Sequence, residues 1–298
     1  MAVRNRLEAH FDSVEIGERL HAVPPHKVYA VRVDGRRAVS KVTTGPTGSA
    51  GVEGRVLAFV GRETTVPVPT ILHCGEDYYV AAWHPDAPAP DDGQRVDEAW
   101  AAAAGRGLAT LHAETAPHIE AYGRFQVRDG DLDVTGEETW QAAALEYLAA
   151  RRSILAEYGH ADVVDAVSDH LRAQPEYFVE PGGPVCCHGW ATPDHVAVAD
   201  GEVTCMLDFE HAIAAPAAFD YWRTVLPTFE TEATEAAFRR GYEAVRSLPA
   251  NLTAGRPGYG LLNLVYYFES LYVQDQHGPV ETTDRAEALR EAVFDRLD

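Results

Sequence analysis

The sequence predicts an α+β protein of two lobes, a small β-rich lobe over residues 1–85 and a larger helical lobe over residues 86–298. Three observations carry this reading. Alternating runs at residues 28–33 and 36–42 flank Asp34-Gly35, a dipeptide that closes tight hairpins because both of its residues tolerate a left-handed backbone. From about Val96 onward the chain is alanine-rich, with apolar residues at helical spacing. Between these regions lies DAPAPDDG, residues 86–93, whose prolines and glycine mark a linker.

In chain order, a short helix is expected to end near Gly17, and HAVPPH (21–26) is held extended or turned by its prolines. The hairpin follows, with Lys41 near the end of its second strand. TTGPTGSAG (43–51) reads as a loop, after which VEGRVLAFVGRE spaces its apolar residues as a helix beginning near Val52 and carrying Glu53 in its first turn. Pro67 and Pro69 end that helix and lead into strands near residues 70–73 and 77–83. Helices are then expected over residues 96–115, 138–159 and 161–173. A β-insertion interrupts them at residues 185–210, VCCHGWATPDHVAVADGEVTCMLDFE, which reads as strand, polar loop, a hairpin closed by Asp200-Gly201, and the acidic turn Asp208-Phe209-Glu210. Further helical runs follow near residues 219–229, 231–245, 260–276 and 284–297.

Composition narrows the function classes. The 298 residues are 46% hydrophobic, enough for a sizeable core, yet the formal charge is −21, from 46 acidic against 25 basic residues. Only Lys27 and Lys41 are lysines. A polyanionic surface repels phosphate backbones and anionic lipid, which argues against nucleic-acid and membrane partners. It also suits a salt-adapted host. No apolar run has signal-peptide or membrane-spanning length, so a cytoplasmic location is expected. Cys74, Cys186, Cys187 and Cys205 show no CxxC spacing and read as buried structural thiols.

A strand lysine, a helix glutamate, a linker, and a helical lobe interrupted by a loop and an acidic turn together resemble the aminoglycoside phosphotransferase family, relatives of choline kinases and protein kinases. The resemblance covers nearly the whole chain. Its most specific part is the family pattern HGDxxPxN, a hairpin, then D-F/W-E/D; here His188-Gly189, Pro193, Asp200-Gly201 and Asp208-Phe209-Glu210 fit it, and Pro216 and Asp220 fit the structural continuation. The resemblance implies a two-lobed protein-kinase-like fold. It further implies that Lys41 contacts nucleotide phosphates, that Glu53 orients Lys41, and that Asp208 ligates Mg²⁺, with Glu210 as a further metal contact. Adenine would lie against the main chain of residues 81–84, with Ala82 and His84 as the named contacts. ATP and Mg²⁺ are the implied cofactors.

Three departures qualify the activity. HAVPPHK stands where a glycine-rich phosphate loop is expected, Trp190 occupies the position of the catalytic aspartate, and His195 that of the metal-binding asparagine. An indole donates a hydrogen bond and accepts no proton, so the usual base is missing. His195 and Asp194 are the candidate replacements. As a metal ligand, the His195 imidazole shifts preference from Mg²⁺ toward Mn²⁺. The reading is ATP-dependent phosphoryl transfer to a hydroxyl of a small molecule, the acidic helical lobe suiting a cationic acceptor; its alternative is a catalytically silent nucleotide- or ligand-binding regulator.

Overall fold

A computed structural model describes residues 2–88 and 95–297. The chain opens with a short helix, α1 (Ala2–Glu8), followed by β1 (Val14–His21), β2 (His26–Val33) and β3 (Arg36–Thr43). The helix expected to end near Gly17 is therefore corrected: it stops at Glu8, and Gly17 lies inside a strand. The glycine read as a helix stop is there for close approach, since a Cβ on it would stand 3.0 Å from the Ala30 carbonyl oxygen of β2. Helix α2 (Ala50–Glu63) follows, then β4 (Ile71–Cys74) and β5 (Tyr78–Ala82). These strands form one antiparallel sheet in the order β1-β2-β3-β5-β4. In the β2–β3 hairpin, Asp34 and Gly35 adopt φ of +46° and +76°, the left-handed pair that a two-residue turn requires. Lys41 pairs with Val28 on one side and Tyr79 on the other, which makes its strand central and its position stiff.

The remainder is mostly helical: α3 (Glu98–Thr115), α4 (Trp140–Ala156), α5 (Ala161–Ala173), α6 (Ala217–Thr228), α7 (Glu232–Glu243), α8 (Leu252–Val273) and α9 (Pro279–Phe294). Asp97 caps α3 and Thr139 caps α4, each accepting a hydrogen bond from a first-turn N–H. Helices α8 and α9 begin earlier than their apolar pattern suggests; Pro257 is the sixth residue of α8, beyond the free N–H groups of the first turn, so the helix carries it at the loss of one bond to the Thr253 carbonyl. Residues 89–93 of the expected linker lie outside the described residues.

The β-insertion is larger than its sequence suggests. Strands β6 (Tyr122–Arg128) and β7 (Asp131–Glu137) join β8 (Val185–Cys187) and β11 (Ile213–Ala215) in a four-stranded sheet of order β7-β6-β11-β8, while β9 (Val196–Ala199) pairs only with β10 (Glu202–Met206). One hydrophobic core runs from α2 through α3, α4, α6 and α8, and includes Val56, Leu57, Leu108, Trp140, Phe219 and Phe268. A smaller core of Leu7, Val31, Val33, Ala38, Val42, Tyr78 and Val80 lies under α1. Cys186, Cys187 and Cys205 are buried free thiols and Cys74 is half-buried.

Candidate active site

The site forms where the first sheet meets the acidic turn. Lys41 is 5% exposed, and its Nζ lies 2.8 Å from Glu53 Oε2, 2.7 Å from Asp208 Oδ1 and 2.8 Å from Glu210 Oε2. Each partner arrives from a different element: Lys41 from β3, Glu53 from the first turn of α2, and Asp208 and Glu210 from the turn after β10. The structure therefore gathers the four residues that the sequence assigned to phosphate, lysine orientation and metal.

Three carboxylates around one ammonium set the electrostatics. Burial disfavours the charge on Lys41, but Asp208, Glu53 and Glu210 together outweigh it and hold the ammonium well above its ordinary pKa. Glu53 fares differently. Its side chain is wholly buried, it shares Lys41 with two other anions, and its carboxyl is pushed up to about 8. Tyr79 donates its hydroxyl to Glu53 Oε1 at 3.1 Å. Asp208 and Glu210 are partly exposed; despite some burial, Lys41 and the neighbouring imidazoles hold both below the ordinary carboxylate range.

Asp208 has φ +66°, an uncommon conformation for a non-glycine residue that aspartate tolerates better than most. Beneath this turn, His188 donates from Nε2 to the Leu207 carbonyl at 2.9 Å and lies against the Phe209 ring. Burial lowers the His188 pKa to about 4, so this ring is neutral and structural. Asp220 fixes the loop above it, accepting from the N–H groups of His188 and Gly189 and facing His112 Nε2 at 3.1 Å. Burial works against the Asp220 charge, but these hydrogen bonds outweigh it and keep the carboxyl below its ordinary value. Gly189 has φ +82°, and a Cβ there would stand 2.2 Å from the His211 carbonyl oxygen, so only glycine fits.

Trp190 lies against Tyr266 and Tyr267, with ring centroids 5.4 and 5.9 Å away. Its carbonyl oxygen is 3.0 Å from His195 Nδ1. A carbonyl only accepts, so Nδ1 carries the proton, and in the neutral ring Nε2 presents a lone pair 3.5 Å from Asp208 Oδ2. Two acceptors facing each other at this distance suit a cation between them. Asp194, by contrast, is exposed and takes no part in the Lys41 cluster. At the edge of the first sheet, the Ala82 N–H donates to Thr70 and the Trp83 N–H to Arg37. Those two donors are committed to the protein, so main-chain contact with a base along residues 81–84 falls to other groups. His84 Nδ1 accepts from the Asp86 N–H at 3.3 Å.

Three residues of this region escaped sequence reasoning. His26, at the start of β2 and 5% exposed, faces Glu210 Oε2 with Nδ1 at 2.9 Å. His211 Nε2 lies 3.1 Å from Glu210 Oε1 and 2.9 Å from the Tyr266 hydroxyl. Arg223, 1% exposed, donates to the Gly189 carbonyl and stacks 3.5 Å over Tyr266. His211 adjoins the acidic turn, which was a usable signal; nothing in the proline-rich turn marks His26.

No helix among the described residues is long and apolar enough to cross a membrane. No curated protein matches the chain. In three dimensions it is similar to a fructosamine-3-kinase homologue from Thermobifida fusca, with 20% identity, 98% of each chain covered and a TM-score of 0.69. It is similar also to a thermostable mutant of aminoglycoside phosphotransferase APH(4)-Ia in complex with ADP and hygromycin B, at 17% identity, 99% coverage of both chains and a TM-score of 0.67. A macrolide 2′-phosphotransferase from Brachybacterium faecium shares 20% identity over 100% of this chain and 97% of its own, with a TM-score of 0.59. These likenesses make the fold protein-kinase-like, a β-rich N-terminal sheet region followed by a helical part. The model of the phosphotransferase enzyme family matches residues 12–259, and the chain belongs to that family.

Proposed function

We propose that the protein transfers a phosphoryl group from ATP to a hydroxyl of a small molecule, with residues 1–85 holding the nucleotide and residues 86–298 the acceptor. The observation that carries this reading is the reach of Lys41 across the cleft to Asp208 while it pairs with Glu53. A strand lysine oriented by a helix carboxylate and poised beside a metal-type aspartate is what phosphate positioning requires. That a similar structure is a complex with ADP supports a nucleotide at this position.

A divalent cation fits the donor set. Glu53, Asp208 and Glu210 exceed the charge of Lys41, and His195 Nε2 faces Asp208 Oδ2. Asp208, His195 and Glu210 would hold the ion, and the nitrogen donor favours Mn²⁺ over Mg²⁺. When bound, such an ion supplies neutralisation of phosphate charge. Adenine is assigned to the edge at Ala82 and His84, recognised there without the Ala82 N–H. The excess of acidic over basic residues favours a cationic acceptor.

Of the two candidate bases, His195 is the better placed when its Nε2 is not on the metal, because Asp194 is exposed and lies outside the cluster. A second reading rests on Trp190, whose packing against Tyr266 and Tyr267 fills the position of a base and favours a silent nucleotide binder. Calorimetry with MgATP and MnATP, followed by an ADP-release assay on a panel of hydroxyl acceptors, separates the two. Binding with acceptor-dependent ADP release supports the transferase; binding without release in the native protein, together with gain of release in Trp190→Asp, supports the silent form. No binding of either nucleotide complex at millimolar ligand ends both.

A further inference from the structure

The turn between β1 and β2 cannot cradle phosphate with its backbone as a glycine-rich loop does. Pro24 and Pro25 have no N–H, and the Pro25 carbonyl already accepts from Thr44 through both its N–H, at 2.8 Å, and its hydroxyl, at 3.1 Å. Immediately after this turn stands His26, buried, with Nδ1 directed at Glu210. A carboxylate oxygen only accepts, so the imidazole donates from Nδ1, and Nε2 has no hydrogen-bond partner among the described residues. On the same Glu210 oxygen, Oε2, Lys41 Nζ converges at 2.8 Å. The other oxygen, Oε1, faces His211 Nε2 at 3.1 Å, and the Tyr266 hydroxyl shares that nitrogen at 2.9 Å.

Glu210 thus sits as an anion within three donors that approach from three elements: Lys41 on β3, His26 on β2 and His211 beyond the acidic turn. We infer that Lys41, His26 and His211 form a side-chain anion cradle for a phosphoryl group of the nucleotide, and that Glu210 occupies it as a carboxylate stand-in. The inference rests on the proposed phosphotransferase reading for its ligand, but the cradle itself is a property of side chains. His26 and His211 act as positioning residues. In phosphate binding they replace backbone donors that the Pro24-Pro25 turn cannot supply, and displacement of Glu210 toward Asp208 frees all three donors together.

The test is calorimetric titration of inorganic pyrophosphate and of ATP at one fixed pH, without metal and with Mn²⁺. Glu210→Ala vacates the cradle and removes a competing charge, so metal-free pyrophosphate should bind at least tenfold more tightly than to the native protein. His26→Leu removes one charge-assisted donor and should weaken ATP binding about tenfold or more, while His26→Asn, which keeps a donor near the Nδ1 position, should stay within about threefold. Unchanged or weaker pyrophosphate binding in Glu210→Ala overturns the inference, as does native ATP affinity in a folded His26→Leu. If His26→Leu fails to fold, the Glu210→Ala titration decides alone. Failure of the native protein to bind any nucleotide would end the proposed function, yet tighter pyrophosphate binding in Glu210→Ala would still establish the cradle.

Discussion

Replacing Glu53 with glutamine should abolish a particular pH dependence of stability. In the metal-free protein the Glu53 carboxyl is raised from 4.5 to about 8, chiefly by burial and despite Lys41. A group whose folded pKa is raised binds its proton more tightly when folded. Its stabilisation is complete below its unfolded pKa and is lost as pH rises through the folded value. Near neutral pH the unfolded chain has already released this proton while the folded chain retains most of it, so stability should fall by ~1 kcal/mol between about pH 7 and pH 8.

Burial raises all four thiols, so they add a smaller fall of the same sign, ~0.2–0.5 kcal/mol in total, as unfolded cysteines begin to ionise; the other shifted groups leave this window quiet. His73, His112, His160 and His188 are all lowered in the fold, mainly by burial, so their contributions are present above the ordinary histidine pKa and vanish only on acidification. Asp208 and Glu210 are likewise lowered and matter only in acid, whereas Lys41 is raised and matters only in strong base. Glutamine can still accept from Tyr79, and Lys41 keeps Asp208 and Glu210. Urea denaturation at matched pH values in chelator should show the falling slope in the native protein and only the small fall from the thiols in Glu53→Gln. A native stability that rises across this interval, or an equal slope in Glu53→Gln and the native protein, refutes the assignment.

Lys41→Met leaves a buried carboxylate cluster without its cation and should cost ~3–5 kcal/mol, read as the shift in urea midpoint; a loss under about 1 kcal/mol would show that the cluster neutralises itself by protonation. Asp220→Ala strips acceptors from the His188 and Gly189 N–H groups and from His112, each loss costing ~1–3 kcal/mol. It should lower the denaturation midpoint, and an unchanged midpoint would mean that another acceptor takes over. Gly189→Ala forces a Cβ against the His211 carbonyl oxygen at positive φ and should destabilise by ~1–3 kcal/mol; native stability would show that this turn can relax.

Much of the site was legible because pattern places its residues on elements and the resemblance to the phosphotransferase family supplies their roles. Lys41 ends an alternating strand, Glu53 opens the following helix, and Asp208 closes a hairpin, so each could be placed by periodicity and turn chemistry before any contact was known. His26 and His211 could not, because a histidine in a turn has no period and its partner lies far along the chain. The β6–β7 hairpin carries the same Asp-Gly signal as the two hairpins that were read: Asp129 and Gly130 have φ of +54° and +95°. Its strands, YGRFQVR and DLDVTGE, are polar and largely exposed, so alternation was weak where the turn signal was strong. The exchange of helix for strand around Gly17 has a similar cause. A glycine is ambiguous between a stop and a close approach until the neighbouring strand is known.

The substitution at Trp190 is not isolated from its surroundings. Arg223 is buried beneath it with no carboxylate partner among the described residues; its charge is met by the Gly189 carbonyl, the Asn263 amide oxygen at 3.3 Å and the π faces of Tyr266 and Trp190. Its guanidinium carbon is 5.4 Å from the Trp190 ring, so a carboxylate introduced by Trp190→Asp would enter the field of an unpaired cation. Two effects then oppose each other. Truncating a well-packed tryptophan costs ~3–5 kcal/mol when it is fully buried, and less here because Trp190 is half-buried. A charge-assisted hydrogen bond to a buried guanidinium returns ~1.5–3 kcal/mol. Trp190→Asn has nearly the same shape as Trp190→Asp but no charge, so the difference in their denaturation midpoints isolates the Arg223 term. Trp190→Asp should be the more stable of the two by at least ~1 kcal/mol. Equal stabilities would show that the aromatic faces already satisfy Arg223, and that a carboxylate restored at this position is free to accept a proton.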